Sequence, residues 1–231
     1  MALDYDQILG PELAFMGATP PPKAPIDGAT VRLEPIDPGR HLADLYAASK
    51  GDDTLWNYMG YGPFADEAAM RTWLEGCAAS PDPLFFAIID KATGKAVGML
   101  SFMRIDARGG AIEIGHIWFA PILKQTRQAT EAIYLTMRET FDRWGYRRLE
   151  WKCNSRNMPS RAAALRFGFT YEGLFRQHLI VRGRNRDTCW FSMLDGEWPE
   201  VKAAFTRWLD AGNFDAAGKQ KKPLAARRPF T

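Results

Sequence analysis

Cysteine is scarce in this chain: Cys77, Cys153 and Cys189 are the only three in 231 residues, and none forms a CxxC pair. An odd, scattered set argues against a disulfide framework and against a zinc site, and no metal is expected. Three reduced thiols in or near the core are the plain reading. Long apolar runs are also missing. None approaches the roughly 18 residues a membrane span needs. The first ten residues carry Asp4 and Asp6 and lack a basic start followed by an apolar stretch. No secretory signal is expected there, and the reading is of a cytoplasmic protein with no membrane partner. Charge of one sign is short as well. The net value of +3 gives no ground for direct nucleic-acid binding. No internal repeat is visible.

What is present is ordinary globular material. Hydrophobic residues reach 46%, charged ones 25% and aromatics 13%, enough for one domain with its own core. Residues 1–28 read as an extension, because Pro20, Pro21, Pro22 and Pro25 bar helix and central strand. Tyr5, Ile8, Leu9, Leu13 and Phe15 in this arm have no evident place in the core, which makes a homodimer an expectation. Residues 29–211 read as one domain. Residues 212–231, with Lys219, Lys221, Lys222, Arg227 and Arg228, read as a solvated basic tail.

Within the domain, residues 31–36 alternate as a strand, and 41–50 and 66–80 have helical spacing. Residues 84–89, 96–103 and 111–119 follow as three strands. Ile133, Met137, Phe141 and Trp144 then mark one face of a helix that Gly145 ends. Residues 149–153 form a strand, and Asn157 caps a helix that closes at Gly168. Two strands, 169–181 and 187–194, flank a turn at 182–185, and 197–209 is a last helix. The class is α+β, or α/β in looser usage: a mixed, mostly antiparallel central sheet flanked by helices.

Two junctions carry candidate chemistry. At 118–130 a strand passes through a short loop into a long helix. The first amides of a helix lack partners and carry the positive end of its dipole, so they suit a phosphate. Lys124 and Arg127 add cations, Thr130 adds a hydroxyl, and Glu131 suits the dipole. An ordinary capped helix with two exposed basic residues would look the same. At 154–161 Asn154, Asn157 and Ser160 stand between a strand and a helix, where Asn side chains can hold an amide-rich ligand. Capping by Asn157 and turn formation by Asn154 are the plain alternative.

The order of Glu113-Ile114-Gly115-His116-Ile117-Trp118-Phe119, Arg127-Gln128-Ala129-Thr130-Glu131-Ala132, Asn154, Asn157, Ser160 and Leu165-Arg166-Phe167-Gly168-Phe169 resembles the GNAT superfamily of N-acyltransferases. The nearer resemblance is to its RimJ/RimL-like branch, over roughly residues 30–199. It implies a GNAT-like fold with acetyl-CoA as donor and a primary amine, on a protein N-terminus or a small molecule, as acceptor. It implies pantetheine pairing by the backbone of Ile117, Trp118 and Phe119. The implied pyrophosphate loop comprises Lys124, Gln125, Thr126, Arg127, Gln128, Ala129 and Thr130, with Asn154, Asn157 and Ser160 as further contacts. Arg127 stands where the family has glycine, so its guanidinium is expected to assist the phosphate site.

By the same resemblance Glu113 is the leading base, with Arg104 as its structural ion-pair alternative. His116 is the runner-up and His178 a third candidate. Ser160 matches the acid of the branch, with Tyr171 behind it. The branch's glutamate base falls at about Leu179, an apolar residue, which leaves an acyl-CoA-binding module with little turnover as the alternative. Arg182, Arg184 and Arg186 read as a solvated hairpin tip, or as a basic rim for an acidic substrate.

Overall fold

Alternation along the strands decides which layer each side chain serves. The computed structural model describes residues 9, 10 and 12–226; the expectations for Tyr5, Ile8, Arg227 and Arg228 lie outside the described residues. Its eight strands are β1 Ile26–Asp27, β2 Val31–Pro35, β3 Leu84–Asp90, β4 Ala96–Asp106, β5 Ala111–Phe119, β6 Arg148–Asn154, β7 Thr170–Val181 and β8 Arg184–Leu194. They form one sheet in the order β1-β2-β3-β4-β5-β6-β8-β7. Every neighbouring pair is antiparallel except β5 with β6.

The helices are α1 Pro38–Ala48, α2 Glu67–Ala79, α3 Arg127–Arg138, α4 Met158–Arg166 and α5 Trp198–Leu209. The continuous apolar run of β3 is explained by burial on both faces. Leu84, Phe86 and Ile88 join the core under α3 and α5, while Phe85 and Ala87 join the one under α1 and α2. Asp37, Asp66, Thr126 and Asn157 cap α1 to α4 with their side chains, each occupying an amide that the helix leaves unpaired. No helix among the described residues is long and apolar enough to cross a membrane. Cys77, Cys153 and Cys189 are free and buried.

Glu131 does more than suit the dipole of α3. It is buried and accepts the amides of Ala29 (2.6 Å), Thr30 (2.7 Å) and Val31 (3.1 Å), along with the Thr30 hydroxyl. Gly28 is required beside it, since a Cβ there would sit 2.9 Å from the Val31 carbonyl and 3.0 Å from the Glu131 carboxyl.

The structure departs from expectation in four places. β1 precedes residue 29, and Ile26 is already core; a two-residue strand is too short to show a period. The helix α3 ends at Arg138 and passes into a π turn, Glu139–Arg143, before Gly145 takes its left-handed φ. The β7–β8 turn is shorter than 182–185, because Arg182 and Gly183 both adopt positive φ and close a two-residue hairpin that leaves Arg184 and Asn185 in β8. The segment after 212 is not a solvated tail as far as Ala226. Its lysines face water, but Trp208 donates to Gln220 (2.7 Å) and Leu224 and Ala226 are buried. The arm also packs: the Ala18 and Thr19 amides donate to Ala107 and Trp144, both at 2.8 Å, and Arg147 lies over Phe15.

Candidate active site

The parallel pair β5–β6 runs in register from Ala111 and Arg148 only to Ile114 and Trp151. Past that point the two strands have no ladder between them. β5 stays paired to β4 through a bulge: Ser101 faces Gly115 and Met99 faces Trp118, so His116 and Ile117 together oppose Leu100. His116 takes up the extra residue with φ 50, a left-handed conformation that costs an L-residue on the order of 1 kcal/mol. Beside it, a Cβ at Gly115 would lie 2.5 Å from the Met103 sulfur, so a larger residue there would have to displace that side chain. The edge of 115–119 that faces β6 is left open to a ligand able to pair as a strand.

At the C-terminal end of β5 the chain turns through Leu123 and Lys124. Gln125, not Arg127, adopts the left-handed φ of 61. Thr126 caps α3 by accepting the Ala129 amide (3.1 Å). Among the described residues no acceptor lies against the amides of Arg127 and Gln128, which leaves them for an anion. Lys124 is at hand but reaches Asp52, 2.7 Å away. The Arg127 guanidinium departs from the phosphate-assisting role expected of it. It donates to the Leu209 carbonyl and lies over the Phe214 ring. Thr130 accepts from Arg166 (3.2 Å).

After β6, the Asn154 side chain accepts the Arg156 amide (2.9 Å) and Asn157 accepts the Ser160 amide (3.1 Å). The capping and turn roles are in place, and both carboxamide nitrogens remain as donors. The Ser160 hydroxyl accepts from Trp151 Nε1 (3.0 Å), and burial pushes the nearby Cys153 thiol up.

Between the parted strands lies a cleft of about 290 Å³ that gathers Glu113, His116, Ile117, Asn154, Asn157 and Ser160. Trp118 lies beneath it in the core, Lys124, Gln125 and Thr126 form the loop before α3, and Arg127, Gln128, Ala129 and Thr130 are the first turn of that helix. Glu113 is 3% exposed, and its Oε2 meets Arg104 (2.6 Å) and Lys152 (2.9 Å). Lys152 is also tied to Glu150 (2.5 Å) and stacks over Trp190. Burial pushes the Glu150 carboxyl up, but Lys152 and Arg148 outweigh it and hold it below its usual range.

His116 Nδ1 is 3.2 Å from the Tyr61 hydroxyl. Burial, reinforced by Arg104 and Arg186, brings the imidazole down to about 4, so it is neutral at physiological pH. Burial pushes the Tyr61 phenol far up, and it stays protonated. His178 also lines the cleft, whereas Tyr171 packs on Phe191.

Sequence reasoning missed two contributors to the cleft. One is the segment bearing Tyr58, Met59, Gly60 and Tyr61, which has no period to read. The other is Lys152, whose only sign was a second charge two residues after Glu150 on a strand. Arg182 does not simply face solvent; it donates to the Tyr61 carbonyl (2.6 Å) and to that of Gly62, docking the hairpin tip on this segment.

Residues 30–170 match the family model described as "Acetyltransferase (GNAT) domain". A solved GCN5-related N-acetyltransferase from Brucella melitensis is 47% identical, with a TM-score of 0.90 over 91% of this chain and 96% of that one. An uncharacterised N-acetyltransferase, p20, of Bacillus licheniformis is 27% identical over 68% of this chain and 89% of its own. A candidate ribosomal N-acetyltransferase, YdaF, of Bacillus subtilis is 30% identical over 47% of this chain and 59% of its own. With the family model covering more than half of its length and the parted strands in place, the chain belongs to the GNAT acetyltransferase family.

Proposed function

We propose that the protein is an acetyl-CoA-dependent N-acetyltransferase whose acceptor is a primary amine. The observation that carries this reading is the parting of β5 from β6 after Ile114 and Trp151, with a capped helix start at one end and two free carboxamides opposite. The backbone of Ile117, Trp118 and Phe119 would hold the pantetheine arm. The amides of Arg127 and Gln128 with Lys124 would hold the pyrophosphate, and Asn154 and Asn157 would hold the arm from the far side. When bound, the cofactor supplies an activated acetyl thioester.

The chain's own groups then divide the work. Glu113 is occupied by two cations, so proton acceptance falls to His116, which is neutral and passes the proton on to water. Glu113 holds Arg104 and Lys152 in position. Ser160, oriented by Trp151, gives its hydrogen to the departing thiolate. The open backbone near Trp118 and Phe119 offers an amide to the developing oxyanion.

Ser160 and the YdaF relative favour the RimJ/RimL-like branch. Leu179 lines the cleft where that branch would place its glutamate, so a ribosomal-protein acceptor is not carried over. The exposed Leu9, Leu13 and Met16 of the arm suit a second copy, which sedimentation would reveal as a dimer.

Thiol release from acetyl-CoA over a panel of amines and peptides tests the function. Release with at least one amine is expected. Calorimetric CoA binding without release on any acceptor would leave an acyl-CoA-binding regulatory module in its place, the reading that Leu179 favours.

A further inference from the structure

Four charged side chains line the cleft: Arg104, Lys152 and Arg186 against Glu113 alone. The carboxylate is spent on the first two cations. Arg186 is left over. Among the described residues no carboxylate lies within ion-pair distance of it. Burial weakens its hold on its proton, and its Nε is buried without a partner.

A half-buried guanidinium with no counter-ion is costly unless something else supplies one. Two further polar atoms on the same wall are in the same condition. Thr188 is 1% exposed with its hydroxyl unpartnered, and His178 Nδ1 is buried without a partner. Their placement follows from the strands. Cys189, Phe191 and Met193 of β8 alternate into the core, which turns Arg186 and Thr188 toward the cleft. His178 sits in the bulge of β7 between Phe175, which pairs with Thr188, and Leu179, which pairs with Arg186.

We propose that the acceptor is a primary amine that also carries an oxyanion, a carboxylate or a phosphate, held by Arg186 with Thr188 and His178. This rests on the acetyltransferase reading of the same cleft and names its substrate class. A bare ammonium has little to attract it there, since Glu113 is committed to Arg104 and Lys152, Glu150 is committed to Lys152, and Arg186 is left without a carboxylate. The oxyanion supplies the attraction, and the surrounding positive charge favours loss of the ammonium proton. The neutral nitrogen then bonds to the acetyl carbon as the carbon–sulfur bond breaks. One proton leaves the nitrogen and one joins the thiolate, giving the amide and free CoA.

Matched acceptor pairs test the proposal. Amino acids are compared with their amides, and aminoalkyl phosphates with the corresponding amino alcohols; the two series separate carboxylate from phosphate recognition. In at least one series kcat/KM for the anionic member should exceed that of its neutral partner by roughly ten- to a hundred-fold, the usual worth of a charge-assisted hydrogen bond. Arg186→Gln should bring that ratio close to one, and Arg186→Lys should restore part of it. Being a ratio within one preparation, it is insensitive to partial loss of folded enzyme. Equal use of both members in both series, or a ratio unmoved by Arg186→Gln, would overturn the proposal. If no amine is acetylated, the transferase reading fails on its own, and calorimetry with the same pairs decides the oxyanion site. Binding of an anionic member alone, lost in Arg186→Gln, sustains the site; equal binding, or none, refutes it.

Discussion

Lys124 Nζ lies 2.7 Å from Asp52 Oδ2, so the cation of the loop before α3 is tied to the segment that follows α1. The pair is partly exposed, and hydrogen bonding to Lys124 helps to hold the Asp52 carboxyl below its usual range. A bound pyrophosphate competes with Asp52 for this ammonium. Lys124→Ala should weaken CoA binding by about three- to ten-fold, and Asp52→Asn should tighten it by about two-fold, as befits a partly solvated charge. Calorimetry at two salt concentrations reads both, and equal affinities across the three proteins would remove Lys124 from the phosphate site.

Arg127 is expected to behave differently from its neighbour. Its guanidinium is bound to Leu209 and lies over Phe214. Arg127→Ala should lower thermal stability by about 1–2 kcal/mol while CoA affinity stays within about two-fold of wild type. A large loss of affinity with unchanged melting would return the side chain to the phosphate.

Glu131→Gln replaces a buried carboxylate that collects three amides and a hydroxyl. The new NH₂ must face donors with nothing to accept from it. A loss of about 2–4 kcal/mol is expected in urea unfolding, given the cost of an unmade buried bond to a charged group. A loss below about 1 kcal/mol would mean that the 29–31 turn holds without it.

His116 gives a pH signature. Its folded value of about 4 lies below the ordinary 6.5, so the unfolded chain binds the extra proton first. The contribution is present above about pH 6.5 and drains away as pH falls toward 4, with stability rising with pH across that window. His116→Gln should flatten this slope by an amount on the order of 1–3 kcal/mol, and should lower kcat at pH 7 if the imidazole takes the amine's proton. An unchanged rate would move the base elsewhere.

Much of this layout could be read from sequence, and the reasons differ by element. The helices announced themselves through the spacing over 66–80, the cap Asn157 and the apolar face of α3, since caps and periods are local. Pantetheine pairing by the backbone of Ile117, Trp118 and Phe119 was expected from resemblance, while the end of the β5–β6 ladder at Ile114 follows from pairing partners that no local pattern displays. Glu113 was legible as a candidate carboxylate paired to Arg104 but not as one shared by two cations, because Lys152 lies 39 positions away and meets it only across the parallel pair. The packing of Leu224 and Ala226 was hidden among lysines, whose charge dominated the local composition.

Ser160→Ala should leave the Trp151 indole N–H unpaired, costing about 1 kcal/mol, and should lower kcat by roughly ten-fold with CoA affinity kept. Stopped-flow thiol release resolves the two effects. If only stability moves, Ser160 serves Trp151 alone.

The Glu131 clamp carries a consequence for how the chain is made. Ala29 waits for an acceptor 102 residues downstream. While a ribosome is still delivering the chain, the turn between the first two strands has emerged long before the carboxylate that fastens it, and α3 must be out and wound before it can close. The amino-terminal corner of the sheet is therefore a late event in synthesis, and a nascent chain arrested before residue 131 holds that corner as open backbone.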